Sequence, residues 1–345
     1  MRPMLFEQVR EAAIQHLIPL VCHFDLTYGC NLACSHCYIV PSDKQELTTD
    51  AIINVLDQLA EAGALYLTLS GGEIFAREDA LVVARYARSL SFALRLLTNG
   101  TAIDAHRADE IANLYPELVS ISIYSMDPNV HDAITGVSGS LARSLAAIQL
   151  LRERGVRLKL ASVIMKYNLT TYRTVFQFAR QIGAQYQADC RIAPRNDGDL
   201  SPLECSIDPV DAAAVLADPI FDDGGEYGEF EEGRASVYDR IPCGAGYMSV
   251  YISPYGVVTP CVQLPLPCGD LNASQFSQIW RQSLEFDQVR SITISNLPAC
   301  SSCKLLRHCR LCIGLAYVEE GSMTAPWKRA CAEAGIMQTL GKRRR

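Results

Sequence analysis

Residues 30–38 read Cys30-Asn31-Leu32-Ala33-Cys34-Ser35-His36-Cys37-Tyr38 and follow directly on a short apolar run, residues 21–27. Three thiolates this close together can wrap a single metal centre. A structural zinc ion asks for four ligands, commonly from two Cys-x2-Cys pairs. A cubane iron–sulfur cluster held by three cysteines instead keeps one iron without a protein ligand, open to a substrate or cofactor. The alternative is a zinc knuckle that takes His23 or His36 as its fourth ligand.

Working outward, the apolar run before the triplet is the first of six. Residues 21–27, 65–70, 93–98, 118–124, 157–164 and 186–192 are short and rich in Val, Ile, Leu or Tyr, as buried parallel strands are. Helical periodicity lies between them. One segment runs over about 50–62, with Ile52, Ile53, Val55, Leu56 and Leu59 on one face and Gly63 as its stop. Others run over about 140–154, ended by Gly155, and about 171–182, ended by Gly183. Six strand–helix repeats with right-handed crossovers predict an α/β fold, a partial (β/α)6 barrel of the TIM type, with a doubly wound sheet as the competing arrangement. In such barrels chemistry collects at the C-terminal ends of the strands. The cysteine triplet follows the first strand, Ser70-Gly71-Gly72-Glu73 ends the second, Thr98-Asn99-Gly100 ends the third, and Ser120-Ile121-Ser122 lies in the fourth. Each alone reads as an ordinary turn or strand end. In common register they are expected to converge on one rim.

The chain has 345 residues, more than one typical core supports, which makes two domains the expectation. It is 49% apolar and 20% charged, so a sizeable core is available. A net charge of −7 argues against nucleic acid as a partner, and the basic run Lys342-Arg343-Arg344-Arg345 reads as a solvated tail. No stretch approaches the ~18 apolar residues of a membrane-spanning helix. The first twenty residues contain Arg2, Glu7, Arg10 and Glu11 and lack a secretory h-region, so a cytoplasmic protein without membrane association is expected. In a long chain of this kind, fourteen cysteines point to metal or catalysis rather than to disulfides. The expected division is an N-terminal helical segment over 1–20, the barrel over 21–195, a bridging region over 196–242 broken by Pro202, Pro209 and an acidic cluster at 222–232, and a cysteine-rich domain over 243–345. That last domain is expected to contain a hairpin turning on Pro254-Tyr255-Gly256 and a weak helix over about 326–340. Its cysteines are Cys243, Cys261, the run Cys300-x2-Cys303-x5-Cys309-x2-Cys312, and Cys331. A pair of zinc sites is one reading of this set. Cys22, Cys190 and Cys205 read as buried small hydrophobes, and the histidines form no catalytic constellation in the sequence.

Cys-x3-Cys-x2-Cys followed by the aromatic Tyr38 resembles the signature of the radical S-adenosylmethionine (SAM) superfamily, and Gly71-Gly72-Glu73 at the end of the next strand resembles that family's GGE motif. The resemblance covers about residues 20–195. It implies a [4Fe–4S] cluster on Cys30, Cys34 and Cys37 whose open iron chelates SAM. Reductive cleavage would release a 5′-deoxyadenosyl radical that abstracts hydrogen from the substrate. It further implies that the carbonyls of Gly71 and Gly72 or the Glu73 carboxylate accept from the SAM amino group, that Thr98 and Asn99 lie near SAM, that Ser122 donates to its carboxylate, and that Tyr38 packs near the adenine. Some relatives place an Arg where this chain reads Ile134-Thr135-Gly136, and no such role is assigned here.

The C-terminal pattern resembles the SPASM domain, with the last spacing x2 where the family has x3. It implies two auxiliary iron–sulfur clusters, one on Cys243, Cys261 and Cys312, the other on Cys300, Cys303, Cys309 and Cys331. Cys268, a carboxylate or the substrate would complete the first, or its fourth position would stay open. Enzymes of this kind modify ribosomally made peptides, oxidise a residue of sulfatases, or alter haem and porphyrin intermediates. The segment from Ser122 to Gly136 is most similar to the peptide-modifying maturases. The short stretch before the first strand implies that a peptide would be recognised by a separate leader-recognition protein or by the barrel mouth itself, and the chemistry implies a reductant such as a flavodoxin or ferredoxin. An iron–sulfur electron carrier is the non-enzyme alternative.

Overall fold

The six apolar runs form parallel strands, each leading into helix. In the computed structural model, which describes residues 5–221 and 241–341, the order is α1 (Leu5–His16), β1 (Val21–Thr27), α2 (Thr49–Glu61), β2 (Tyr66–Gly71), α3 (Ala80–Ser89), β3 (Ala93–Thr98), α4 (Ala105–Asn113), β4 (Leu118–Ser122), α5 (Pro128–Thr135), α6 (Ser140–Glu153), β5 (Leu158–Val163), α7 (Tyr172–Ile182) and β6 (Gln185–Asp189). After these come α8 (Pro209–Leu216), β7 (Ser249–Ile252), β8 (Val257–Thr259), β9 (Gly269–Asp270), α9 (Phe276–Gln282), α10 (Leu284–Arg290), α11 (Ile313–Glu320) and α12 (Lys328–Thr339).

The sheet runs β6-β5-β4-β3-β2-β1-β7-β8-β9. Strands β1 to β6 are parallel and lie side by side in chain order. A doubly wound sheet reverses its strand order at a switch point, and this one does not, so the partial barrel is the arrangement found. The sequence reading did not anticipate the other edge. The hairpin β7–β8 joins the barrel sheet, β7 pairing parallel with β1 from Val21↔Ser249 to Phe24↔Ile252. The C-terminal part is therefore hydrogen-bonded to the strand that carries the cysteine triplet.

The main core lies between the sheet and its helices, with Phe24, Leu26, Ile52, Leu56, Leu67, Leu94, Ile121 and Leu160 among its fully buried members. Cys22, Cys190 and Cys205 are buried, as expected. The region read as a breaker-rich bridge is partly helical. Asp208 caps α8 through the Asp211 N–H, and Pro209 occupies the first helical position, where a missing N–H costs nothing. The acidic cluster at 222–232 and the basic run 342–345 lie outside the described residues. Among the described residues no single helix is long and apolar enough to cross a membrane.

Candidate active site

The loop carrying the triplet is fixed by backbone contacts from several strand ends. Gly72 N–H donates to the Thr27 carbonyl at 2.8 Å and Glu73 N–H to the Gly29 carbonyl at 2.9 Å. A side chain on Gly71 would collide with the Thr27 carbonyl, and one on Gly72 with the Gly29 carbonyl. Gly71 also has a φ of +135°. The diglycine is thus the bed on which the cluster loop lies, and only glycine allows so close an approach. On the far side Ala33 N–H donates to Thr135 O at 2.9 Å and Ser35 N–H to Ile134 O at 3.0 Å. A Cβ on Gly136 would come within 2.9 Å of the Ala33 carbonyl. Ile134-Thr135-Gly136 therefore supports the loop. From β3, Asn99 Nδ2 donates to Asn31 Oδ1 at 2.8 Å and lies 4.0 Å from Cys30 Sγ.

The Glu73 carboxylate is only 1% exposed. It accepts from Thr98 Oγ1 at 2.7 Å, Asn99 N–H at 2.7 Å and Phe75 N–H at 3.1 Å. Burial raises its pKa, and these three donors oppose the rise. Its oxygens tie the end of β2 to the end of β3. Tyr38 turns toward the C-terminal domain and lines, with His36, Arg191, Val262 and Gln263, a cavity of about 170 Å³.

Burial pushes up the pKa of all three thiols, Cys34 to about 12. Charge on Glu73 and then Cys37 raises Cys30 further, and charge on Cys37 and Cys30 raises Cys34, so the three thiols lie within electrostatic reach of one another. Among the described residues, however, no three His, Cys, Asp or Glu side chains already surround a common point at metal-binding distance. The donor set, three buried thiols on one loop pinned at both flanks, fits an iron–sulfur cluster, whose irons would take them as thiolates and offset the cost of ionising them there.

Sequence reasoning missed what lies behind Cys34. The Tyr124 ring packs between the imidazoles of His36, centroids 4.8 Å apart, and His131, 5.5 Å apart. The available signal was the two-residue step from Ser122, which puts both side chains on one face.

The C-terminal cysteines gather in two groups. Cys243, Cys261 and Cys312 lie within electrostatic reach of one another and of Arg191. Burial takes Cys243 to about 12. Gln263 joins this group, its N–H donating to Cys261 Sγ and its Oε1 accepting from Cys312 Sγ, both at 3.5 Å. Cys300, Cys303 and Cys331 form the second group: burial raises Cys300 and Cys331, with charge on Cys331 and Cys303 adding to the rise at Cys300 and charge on Cys303 to that at Cys331. Cys309 Sγ lies 3.9 Å from the carbonyl of Ala330, the residue before Cys331. Cys268 packs instead in the main core, its thiol donating to Leu266 O at 3.4 Å.

The radical SAM superfamily model matches residues 24–179, and the SPASM iron–sulfur cluster-binding model matches residues 243–304. The AdoMet-dependent heme synthase of Methanosarcina barkeri is 27% identical over 88% of this chain and 93% of its own length. The subtilosin biosynthesis protein AlbA of Bacillus subtilis is 28% identical over 72% of this chain and 56% of its own length. The fold is shared with SuiB of Streptococcus suis in its SAM-bound crystal structure, with a TM-score of 0.73 and 17% identity over 92% of this chain and 79% of that one. With the cysteine loop, the diglycine bed and the C-terminal thiol groups arranged as they are, the chain belongs to the radical SAM superfamily, as an enzyme that uses SAM and a [4Fe–4S] cluster and carries auxiliary iron–sulfur clusters in a SPASM domain.

Proposed function

We propose that this radical SAM enzyme acts on a ribosomally made peptide, forming a cross-link or another post-translational modification. When bound, the cluster and SAM supply a 5′-deoxyadenosyl radical that takes a hydrogen atom from the substrate. Cys30, Cys34 and Cys37 hold the cluster. Gly71 and Gly72 offer carbonyls to the SAM amino group, and Thr98, Asn99 and Ser122 frame the same rim. Glu73, its oxygens committed inward, acts by fixing the ends of β2 and β3 rather than by touching SAM. Tyr38 forms the wall between SAM and the cavity. Cys243, Cys261 and Cys312 hold one auxiliary cluster, and Cys300, Cys303, Cys309 and Cys331 hold the other.

The observation that carries the peptide reading is the size and place of the cavity. It lies between the cluster loop, through His36 and Tyr38, and the C-terminal domain, through Val262 and Gln263, and holds about 170 Å³. Sites for drug-sized ligands run to about 300–1,000 Å³. This one suits a side chain or two presented by a peptide and is small for a tetrapyrrole. Its one charged wall residue, Arg191, is already paired with Asp189 at 2.6 Å. A macrocycle bearing several carboxylates would need more free cations. A small leader-recognition protein and a flavodoxin- or ferredoxin-type reductant complete the proposal.

The heme synthase similarity over most of the chain favours a second reading, a porphyrin intermediate as substrate. One experiment separates them. The reconstituted, reduced protein is given SAM with either the peptide encoded by a short reading frame beside its gene or a carboxylated porphyrin. Peptide-dependent 5′-deoxyadenosine with a change in peptide mass is expected. Porphyrin conversion with the peptide left unaltered would overturn the peptide reading.

A further inference from the structure

The turn after β8 is clasped against the start of α11. The Cys261 carbonyl accepts from Thr259 Oγ1 at 3.1 Å and from Leu264 N–H at 3.0 Å. A Cβ on Gly314 would lie 2.5 Å from the Gln263 carbonyl, so glycine there lets the helix rest on the turn. Cys312 is the N-cap of α11, and its sulfur accepts from Leu315 N–H at 3.5 Å. Gln263 bridges the two cysteines. Its backbone N–H donates to Cys261 Sγ and its side-chain amide meets Cys312 Sγ, both at 3.5 Å. The same residue lines the cavity beside Tyr38 and Arg191.

As a thiol, Cys312 donates and Gln263 Oε1 accepts. A cysteine that ligates iron is a thiolate, an acceptor only. Turning the amide about its last torsion exchanges Nε2 for Oε1 and leaves the rest of the side chain where it is. Cys312 Sγ then accepts from Leu315 N–H and Gln263 Nε2, and Cys261 Sγ from Gln263 N–H. Of these three donors only Gln263 Nε2 belongs to a side chain. A hydrogen bond donated to a cluster sulfur draws off electron density and favours the reduced cluster, one of the means by which a protein sets an iron–sulfur potential. We propose that Gln263 is a positioning residue that reaches from the cavity wall to Cys312 and raises the reduction potential of the first auxiliary cluster. The proposal rests on Cys243, Cys261 and Cys312 being ligands of that cluster.

The test uses the reconstituted, full-length protein and follows, by redox titration, the electron paramagnetic resonance signals that do not change on adding SAM. Gln263→Met keeps the length of the side chain and removes its amide. One SAM-insensitive signal should titrate at a more negative potential than in the wild type. At the wild-type midpoint its reduced-to-oxidised ratio should fall about threefold, the order of one modest hydrogen bond. Iron content and the SAM-responsive signal should stay as in the wild type. Gln263→Glu should move the same signal further at about pH 8, because a carboxylate has no proton to offer the sulfur. Unchanged potentials in Gln263→Met overturn the proposal. If Gln263→Met fails to hold its clusters, Gln263→Glu decides, and wild-type potentials there overturn it equally. A failure of the underlying ligand assignment looks different: Cys312→Ala would then leave in place the signal that Gln263→Met moves.

Discussion

The two cysteine-bearing regions are built in opposite ways. The N-terminal loop is positioned chiefly by backbone contacts to β1, β2 and the end of α5 and by the Asn99–Asn31 bond beyond β3, with thiol contacts such as Cys205 Sγ to the Ser35 carbonyl at 3.6 Å beside them. In the C-terminal region the cysteines are themselves part of the packing. Cys300 belongs to one small core, with Cys243 and Cys261 against it, and Cys309 to another, with Cys312 against it. Where a parallel sheet supplies the positions, the metal centre is received by an existing frame. Where the sheet gives out, the apolar groups are small and bury little surface, so clusters held by these cysteines would add to the core.

The sharpest way to break this comparison is to remove a ligand from each side. Cys34→Ala should reduce 5′-deoxyadenosine formation to background, measured by chromatography after anaerobic reconstitution and reduction, since the remaining thiols cannot hold the SAM-binding cluster. Appreciable SAM cleavage in this variant would end the assignment of the loop. Cys303→Ala should keep SAM cleavage within about twofold of wild type, as the barrel frame does not include it, while turnover of the substrate is lost and the C-terminal domain becomes sensitive to protease. Undiminished turnover would mean that the second auxiliary group is dispensable.

A smaller effect tests the frame itself. Gly72→Ala places a methyl group against the Gly29 carbonyl, and backbone on both sides leaves no flexible partner to yield. The expected cost is about 3 kcal/mol, within the range of severe overpacking. It should appear as a lowered Tm together with loss of the SAM-responsive cluster signal. A variant that melts like wild type would show that the diglycine bed is not what holds the loop.

Much of this frame is legible in the sequence because the strand ends carry residues that, taken together, only one geometry explains. The cysteines after β1, the glycines after β2 and Asn99 after β3 share one rim only if the strands are parallel and adjacent. The hairpin turning at Pro254-Tyr255-Gly256 is legible for the same local reason, but its docking onto β1 is not, since β7 is four residues long and nothing in it names a partner far away in the chain. Short polar helices escape notice as well. In α4 only Ala108 and Ile111 are buried, too few to set a period, and α5 opens on a proline that reads as a breaker. The inward commitment of Glu73 and the setting of Tyr124 depend on where neighbouring strand ends meet, which no single segment encodes.

The mildest test concerns His131, which belongs to the frame rather than to any thiol group. It is 1% exposed and accepts from the Tyr124 N–H, which requires a neutral Nδ1. Burial lowers its pKa from 6.5 to about 4, with Asp132 opposing the shift. The unfolded chain therefore takes up this proton first as the pH drops, and folding stability falls progressively below about pH 6.5 and levels off near pH 4. Between pH 7.5 and 5.5 the loss from this residue is about 1 kcal/mol, read as a shift in the denaturant midpoint of the holoprotein. His131→Gln should be less stable than wild type at pH 7.5 yet lose less on acidification, so the two stability curves converge as the pH falls. Parallel curves would mean that His131 is not held neutral, and that the support behind Cys34 is looser than its hydrogen bonds imply.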